Sequence, residues 1–542
     1  MALSLQPHSA TSKSQTGDFH VRHEQKLTEL KEALANADQL QQLVVIDAMQ
    51  RLGVAYRFQE DIDVILEKQY TRSSAYYNGN DDGNHQLLEA SLRFRLFRQQ
   101  GFPITLDADV KNKIKNNQKL NAGLVAGEDI EGLVELCEAS HLSFQGEEAL
   151  EEAGKLCRKI LTAWVLNNHN DCLATLVANT LEHPYHKSLT RFTAKKFLNS
   201  FQGQENWVCS LQELAKLEFN MVESTIRNEI LQVSRWWKEL GLTKELKFVR
   251  DQPIKWYTWP MACLVDPRLS VERVELTKAI SLVYIIDDIF DDVHGSLDEL
   301  VLFTAAVARW DTATNDELPN YMKTCFKALN DITNDISERV YENHGWNPID
   351  TLRESWARLC KAFLVEAQWL RHGQLPSSED YLRNGIISSG VPAVLTNAFF
   401  ILGQGITKET IDLFNSTELP SIVSSTATIL RLWDDFGSAM DEEQNGYDGS
   451  YIEFYMKEHQ GSTVEEAQGN VIRKISDEWK NLNQECFSCN PFSESFTQLA
   501  LNVSRMVPMM YDYNDNHRLP SLEENMKSLL LDSFLAKGIT HG

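Results

Sequence analysis

Apolar residues recur at intervals of three and four along nearly the whole chain, as at Leu27, Leu30 and Leu34. This spacing places apolar side chains on one face of an α-helix, whereas a half-buried strand shows strict alternation. Glycine and proline are scarce, with 26 and 14 among 542 residues, well below their average share of about 12%. Few turn residues mean few loops. The sequence therefore predicts an all-α protein and excludes sandwiches and propellers.

A polar stretch at residues 202–207 (QGQENW) interrupts the helical pattern and indicates a junction between two domains. We therefore divide the chain into an N-terminal helical domain, residues 21–207, and a C-terminal one, residues 208–542. Residues 1–20 are rich in hydroxyl side chains and are expected to form a disordered tail. No internal repeat is visible, so a helical solenoid is not expected.

The chain carries 52 basic and 77 acidic residues, a formal net charge of −25. Nucleic acid is not an expected partner, because binding its phosphates requires clustered Lys and Arg. No uninterrupted apolar run reaches the length of about 18 residues that a membrane span needs. The nine cysteines, including the pair Cys486 and Cys489, are interpreted as reduced thiols. The first 17 residues contain one Lys and no Arg, so the chain is expected to be cytoplasmic rather than plastidic. We also expect it to be a monomer.

Four carboxylates in six positions follow residues 279–286 (AISLVYII), a stretch that is apolar on nearly every face. In a helix, Asp287, Asp288 and Asp291 share one face. Anions crowded at the end of a buried helix repel one another and lose hydration unless a cation compensates them. Oxygen ligands at this spacing suit Mg²⁺, which also bridges to substrate phosphates. A solvated acidic helix end is equally compatible with this cluster taken alone.

A second oxygen-rich cluster also follows a largely apolar stretch, residues 428–433 (TILRLW). Asp434, Ser438 and Glu442 are spaced four residues apart, which stacks them along one helical face. They offer two carboxylates and a hydroxyl to one ion. Together the two clusters predict a site in which three Mg²⁺ ions hold a diphosphate between two helices.

An anionic substrate needs local positive charge in so acidic a protein. Metal ions supply most of it, and two arginines near the clusters, Arg250 and Arg431, are candidates for the rest. Taken singly, either arginine is more typical of a surface or salt-bridged side chain.

At these positions the chain resembles a plant class I terpene synthase, and the resemblance covers nearly its whole length. Asp287, Asp288 and Asp291 match the family's DDxxD motif, and Asp434, Ser438 and Glu442 match its second metal motif. Arg250 begins the stretch that corresponds to RxR, and Trp259 corresponds to an aromatic residue that lines the cavity. Further matching stretches are residues 93–101 (RFRLFRQQG), 132–141 (GLVELCEASH) and 234–237 (SRWW).

The resemblance implies a C-terminal class I helical bundle and an N-terminal helical barrel, the family's β domain, without class II activity. It implies six ligands for three Mg²⁺ ions, with Mn²⁺ possible: Asp287, Asp288, Asp291, Asp434, Ser438 and Glu442. It implies that the diphosphate of a prenyl substrate is bound by Arg250, Asp287, Asp291, Arg431 and Asp434. It also implies catalytic roles for Asp287, Asp288, Arg431 and Trp259, in ionising the substrate and stabilising the cation.

Three departures from the family pattern narrow the expectation. The chain contains no Arg-Arg pair, so the RRx8W motif of cyclising monoterpene synthases is absent. Gln252 replaces the second arginine of RxR, which removes one charge from the diphosphate site. No DxDD motif is present, so class II cyclisation is not expected.

This pattern is most similar to the subfamily that makes acyclic alcohols, (E)-nerolidol from farnesyl diphosphate and linalool from geranyl diphosphate. Water would capture the cation at C3 before a ring closes. Residues 385–392 (GIISSGVP) are similar to the family's helix break, where the Ser388 or Ser389 hydroxyl could face the cation; an ordinary turn is equally compatible. Two alternatives stay open, a cyclising or hydrocarbon-forming terpene synthase and a non-catalytic helical scaffold.

Overall fold

Helices are the regular elements throughout the described part of the computed structural model, which comprises residues 13–76, 87–105, 127–168, 172–201, 203, 205–290, 295–310, 317–373, 376–442 and 449–511. The N-terminal helices are α1 (Lys13–Asn36), α2 (Gln39–Arg51), α3 (Gln59–Tyr76), α4 (Leu87–Gln99), α5 (Gly127–Ser140), α6 (Glu148–Asn167), α7 (Cys172–Glu182) and α8 (Thr190–Ser200). The all-α prediction is confirmed.

The C-terminal helices follow a long helix, α9 (Asn206–Leu240), and the short α10 (Leu242–Glu245). They are α11 (Pro253–Cys263), α12 (Ser270–Phe290), α13 (Leu297–Arg309), α14 (Asn320–His344), α15 (Ile349–His372), α16 (Ser378–Ser388), α17 (Val391–Leu402), α18 (Lys408–Asn415), α19 (Ser421–Glu442), α20 (Tyr451–Glu458), α21 (Val464–Phe487) and α22 (Glu494–Met510). Short 3₁₀ turns at Ala55–Arg57, Tyr185–Lys187 and Pro267–Leu269 complete the described elements.

Helix α1 differs from the prediction of a disordered tail over residues 1–20, because it is already helical at Lys13. Its His23 ring nitrogen lies 2.5 Å from a carboxylate oxygen of Glu218 on α9, and both side chains are buried. A helix anchored in this way extends toward its start at little cost, since each added residue gains a hydrogen bond. No proline interrupts residues 13–23. Residues 1–12 lie outside the described part.

The junction predicted between residues 207 and 208 falls within the first turn of α9, which runs unbroken to Leu240. Leu211 and Leu214, near its start, pack into a hydrophobic cluster of the N-terminal helices. Ile226 and Val233, near its end, pack into the much larger cluster of the C-terminal helices. One helix thus contributes to both cores, and the assignment of a boundary residue stays a prediction.

The larger core holds the helices that carry the two acidic clusters. In α12, Ile280, Leu282, Ile285 and Ile286 are buried along the stretch that precedes the first cluster. Burial of such side chains contributes roughly 1.5–3 kcal/mol each. This packing fixes the position and the rotation of the end of α12 within the core. It therefore also fixes the direction in which the Asp287 and Asp288 side chains leave the helix.

One described segment, Ser378–Leu402, is long and apolar enough by length and composition to cross a membrane. In the fold, 72% of its most apolar window is buried inside the protein. The segment is also divided between α16 and α17 at Gly390, whose φ is 76°. These features are those of core helices, so the described residues contain no clear membrane span.

Candidate active site

A cavity of about 410 Å³ lies between α11, α12, α15, α16, α17, α19 and α22. Its charged lining residues are Arg250, Lys255, Asp287, Glu366, Arg431 and Asp434. Its larger apolar lining residues are Trp259, Leu276, Ile280, Val283, Phe363, Val394, Leu395, Leu430, Leu499, Val503 and Met510. The cavity can therefore hold a ligand with an ionic group at one end and a hydrocarbon chain at the other.

Asp287 and Asp288 occupy the last turn of α12 and differ in exposure. The Asp287 side chain is 47% exposed and lines the cavity, whereas that of Asp288 is 10% exposed. The backbone N–H of Arg250 donates to Asp288 Oδ2 at 2.9 Å, and the guanidinium pairs with both carboxylates. Burial raises the pKa of Asp288, an effect that Arg250 partly offsets. Asp291, predicted as a third ligand, lies outside the described residues.

Asp434 and its neighbour Asp435 have different surroundings on α19. Asp434 lines the cavity. Asp435 is buried, where it accepts hydrogen bonds from the Tyr381 hydroxyl at 3.0 Å and from the Tyr451 backbone N–H at 3.1 Å. Burial raises the pKa of Asp435 to about 7, against the opposing effect of Arg431. Asp434 thus faces the cavity, while Asp435 fixes the helix to its neighbours.

The two acidic clusters meet across the cavity. Burial raises the pKa of Asp434, and the negative charge of Asp287 raises it further, although Arg431 acts in the opposite direction. A cation between Asp434 and Asp287 would stabilise the ionised form of Asp434 and so oppose the effects of burial and of the neighbouring negative charge. The donor set is composed of oxygen, which fits Mg²⁺ or Mn²⁺ better than a soft metal.

The described side chains alone do not form a cluster of three metal-binding residues of the His, Cys, Asp or Glu type. Residues 438 and 442 continue α19 by one and two turns beyond Asp434. The side chains of Ser438 and Glu442 lie outside the described part, as does that of Asp291. The six-ligand set inferred from the resemblance therefore stays a prediction, of which the structure places Asp287 and Asp434 in one cavity and Asp288 beside Asp287 at the end of α12.

Arg431 connects Asp434 with the helix break. Its guanidinium donates to Ser388 Oγ at 2.9 Å and to the Gly385 carbonyl at 3.3 Å. The same group lies 3.9 Å from Asp434 and 3.8 Å from Glu366. A side chain at position 385 would meet Arg431, because an added Cβ would lie 3.0 Å from Nε. Arg431 is thus a buried and firmly held cation at the cavity wall.

Within residues 385–392 the helix is interrupted at Ser389 and Gly390, between α16 and α17, and Ser388 and Ser389 both line the cavity. The Ser388 hydroxyl donates to Glu366 at 2.5 Å, and the Ser389 hydroxyl donates to the Ile386 carbonyl at 2.7 Å. Since both hydrogens are already used, each hydroxyl presents an oxygen lone pair, rather than a free donor, toward neighbouring groups.

Replacing Gly390 by alanine is expected to destabilise the protein by about 2–5 kcal/mol. A left-handed conformation costs an L residue about 1–2 kcal/mol, and overpacking adds about 1–3 kcal/mol. An added Cβ would lie 2.4 Å from Val283 Cγ1 on α12. The shift of the urea unfolding midpoint measures the effect.

Gly345→Ala is the matched control for this prediction. Gly345 has a φ of 73°, close to the 76° of Gly390, but no atom lies within 4 Å of its added Cβ. The control should lose only the conformational part, about 1 kcal/mol. Equal destabilisation by the two variants would contradict close packing of the break against α12.

Trp259 lines the cavity, and its indole N–H donates to the Tyr284 hydroxyl at 3.3 Å. Tyr284 also lines the cavity, and its ring lies 5.1 Å from the Arg250 guanidinium carbon. The sequence analysis did not single out Tyr284, Glu366 or Lys255. The sequence offers a signal for Tyr284, because Tyr284 and Ser281 are the two residues with a polar group in the otherwise apolar stretch 279–286.

Comparison with protein families shows matches over most of the chain. Residues 238–481 match the terpene synthase family, metal binding domain, and residues 1–181 match the terpene synthase N-terminal domain. A probable terpene synthase from Ricinus communis is 54% identical over 91% of this chain and 84% of its own length. An (E)-nerolidol synthase from Cannabis sativa is 47% identical, with coverage of 97% and 98%. An S-(+)-linalool synthase from Arabidopsis thaliana is 44% identical, with coverage of 94% and 88%.

Solved structures show the same architecture. An isoprene synthase from grey poplar, in complex with three Mg²⁺ ions and dimethylallyl-S-thiolodiphosphate, aligns with a TM-score of 0.85 and 32% identity. The alignment covers 95% of this chain and 97% of that one. A limonene synthase with 2-fluorolinalyl diphosphate aligns with a TM-score of 0.87 and 32% identity, over 97% and 96% of the two chains.

Proposed function

The chain belongs to the terpene synthase family, and we propose that it ionises prenyl diphosphates and captures the allylic cation with water at C3. The products are the acyclic tertiary alcohols (E)-nerolidol, from farnesyl diphosphate, and linalool, from geranyl diphosphate. One observation carries the proposal: Asp287 and Asp434 face one cavity, together with Arg250 and Arg431, and the rest of its wall is largely apolar.

The metal-ligand part of the site is proposed to comprise Asp287, Asp288, Asp291, Asp434, Ser438 and Glu442. Bound Mg²⁺ would act as a Lewis acid that neutralises the charge of the leaving diphosphate. Asp288 is held in place by the backbone of Arg250, and the adjacent Asp435 fixes α19 through Tyr381 and Tyr451. These hydrogen bonds fix the orientation of the chain beside the proposed ligands, as the partners of metal-binding residues commonly do.

The arginines are proposed to bind the diphosphate on either side of the cavity. Arg250 already contacts Asp287 and Asp288, and Arg431 contacts Ser388 and Gly385. A guanidinium held by several partners keeps its position when charge develops on the leaving group, so little reorganisation is needed during the reaction. The negative charge is thereby confined to the charged end of the cavity.

The apolar wall is proposed to receive the cation. Trp259 and Tyr284 offer aromatic faces, which attract a cation by about 0.5–2 kcal/mol. Their mutual hydrogen bond fixes the orientation of both rings. Within the described cavity wall, Ser388 and Ser389 supply hydroxyl oxygens that can accept a hydrogen bond from water. Water held there is the proposed nucleophile.

The acyclic outcome rests on the absence of an Arg-Arg pair and on the names of the relatives from Cannabis and Arabidopsis. The fold does not choose between acyclic and cyclic products, because a limonene synthase shares it. A cyclising enzyme is therefore the second candidate.

Gas chromatography–mass spectrometry of the volatile products tests the proposal. Purified protein with Mg²⁺ is expected to give nerolidol from farnesyl diphosphate and linalool from geranyl diphosphate, and neither in excess chelator. Cyclic hydrocarbons as the main products would favour the cyclising enzyme instead. Absence of turnover with both substrates would contradict the proposed reaction.

A further inference from the structure

The position at which the sequence departs from RxR does not line the cavity. Gln252 is exposed and precedes the first turn of α11. Its neighbour Asp251 accepts a hydrogen bond from the Trp237 indole N–H at 2.7 Å, which directs this segment toward the end of α9. A positive charge at residue 252 would therefore lie at the surface of this structure, and the cations that line the cavity are Arg250, Lys255 and Arg431 among the described residues.

Lys255 lies three residues later, in the first turn of α11, and its side chain lines the cavity. Gln252 precedes the helix and has non-helical backbone angles, φ −130° and ψ 49°, so its side chain does not share a helical face with that of Lys255. Burial and the positive charge of Arg250 lower the pKa of Lys255, whereas the negative charge of Asp434 raises it. The Lys255 ammonium group is therefore close enough to Arg250 and to Asp434 to interact electrostatically with both.

Three cations in the described lining of the cavity differ in how many of their charged contacts are already made within the protein. Arg250 is paired with Asp287 and Asp288. Arg431 is bonded to Ser388 and lies near several carboxylates. Lys255 has no ion pair and no hydrogen bond to any residue that the structure describes. It can contact an incoming anion without giving up an existing partner, which makes its contribution to anion binding large.

We propose that Lys255 binds the diphosphate group of the substrate, and so supplies from α11 the charge that the sequence lacks at Gln252. An ammonium on a flexible stem suits this role, because its three donors can follow the phosphate oxygens as the bond to carbon lengthens. The proposal rests on the proposed function for the identity of the substrate, but the contact itself involves only the diphosphate.

Removing the charge with Lys255→Met is expected to raise the inhibition constant of inorganic diphosphate, and the KM of farnesyl diphosphate, about tenfold at saturating Mg²⁺. Lys255→Arg keeps the charge and should stay within about threefold of the wild type. The main readout is isothermal titration calorimetry of inorganic diphosphate with Mg²⁺, which does not depend on turnover. Should Lys255→Met fail to fold, Lys255→Gln provides the same comparison.

Two further variants complete the test. Lys247→Met removes an exposed lysine whose one hydrogen bond to a described residue goes to the Thr243 carbonyl. Gln252→Met changes the exposed position, and both variants should bind diphosphate as the wild type does. Unchanged diphosphate affinity in Lys255→Met would overturn the proposal. If the wild type binds diphosphate but turns over no prenyl substrate, the proposed function fails while the calorimetric comparison still decides the role of Lys255.

Discussion

Asp288→Ala is expected to lower turnover of farnesyl diphosphate by about 10²–10³-fold, because the metal ions contribute several kcal/mol to stabilising the leaving group and each factor of ten corresponds to about 1.4 kcal/mol. The fold should persist. Asp288 lies at the end of α12, and its removal leaves Arg250 paired with Asp287. Steady-state kinetics give the loss in kcat, and circular dichroism checks the helical content.

Metal-dependent stabilisation provides a second readout for the same variant. The wild type should gain thermal stability from Mg²⁺ with inorganic diphosphate, since a ligand that binds only the folded state stabilises it. Asp288→Ala should lose most of this gain. Asp335→Asn, which changes an exposed carboxylate of α14, should behave as the wild type in both measurements. Full activity of Asp288→Ala would exclude the first acidic cluster from catalysis.

Arg431→Met is expected to affect both stability and turnover. The side chain is 14% exposed and lies within 4 Å of carboxylate oxygens of Glu366, Asp434 and Asp435. Its removal leaves the buried Asp435 and the partly exposed Glu366 and Asp434 without this positive charge. Breaking a buried pair costs about 3–5 kcal/mol. The substitution also removes the two hydrogen bonds that hold the helix break. We expect a clear fall in the urea unfolding midpoint and a loss in kcat of at least about 10²-fold.

Arg273→Met separates the two effects of the Arg431 variant. Arg273 is equally a buried arginine, bonded to Glu229 at 2.6 and 2.8 Å, but it does not line the active-site cavity. Its loss should destabilise the protein by a similar amount and leave diphosphate affinity unchanged. If Arg431→Met weakened diphosphate binding no more than Arg273→Met does, a binding role for Arg431 would be refuted.

The helices and the two acidic clusters could be predicted from the sequence because they depend on local patterns. Apolar spacing decides which face of α12 or α19 is buried, and the clusters come directly after the apolar stretches. The same patterns place Asp287 and Asp434 in one cavity once the two helices pack together. The resemblance singled out Trp259, which lines the cavity; its catalytic role stays a prediction.

Other features depend on contacts between residues far apart in the chain, which no local pattern contains. Asp434 and Asp435 are adjacent and identical in type, yet only tertiary packing decides that Asp435 faces Tyr381, 54 residues away. Glu366 enters the site through Ser388 and Arg431. The direction of Gln252 depends on the bond between Asp251 and Trp237. The helical start of α1 depends on its packing against α9.

The most direct test of the account is turnover of farnesyl diphosphate with Mg²⁺ in water enriched in oxygen-18. Ionisation breaks the bond between carbon and oxygen, and water then supplies the alcohol oxygen. We therefore predict that the tertiary alcohol carries the heavy isotope and that the released diphosphate carries none. Heavy oxygen in the phosphate product, together with a primary alcohol of ordinary mass, would show hydrolysis at phosphorus and would contradict the account.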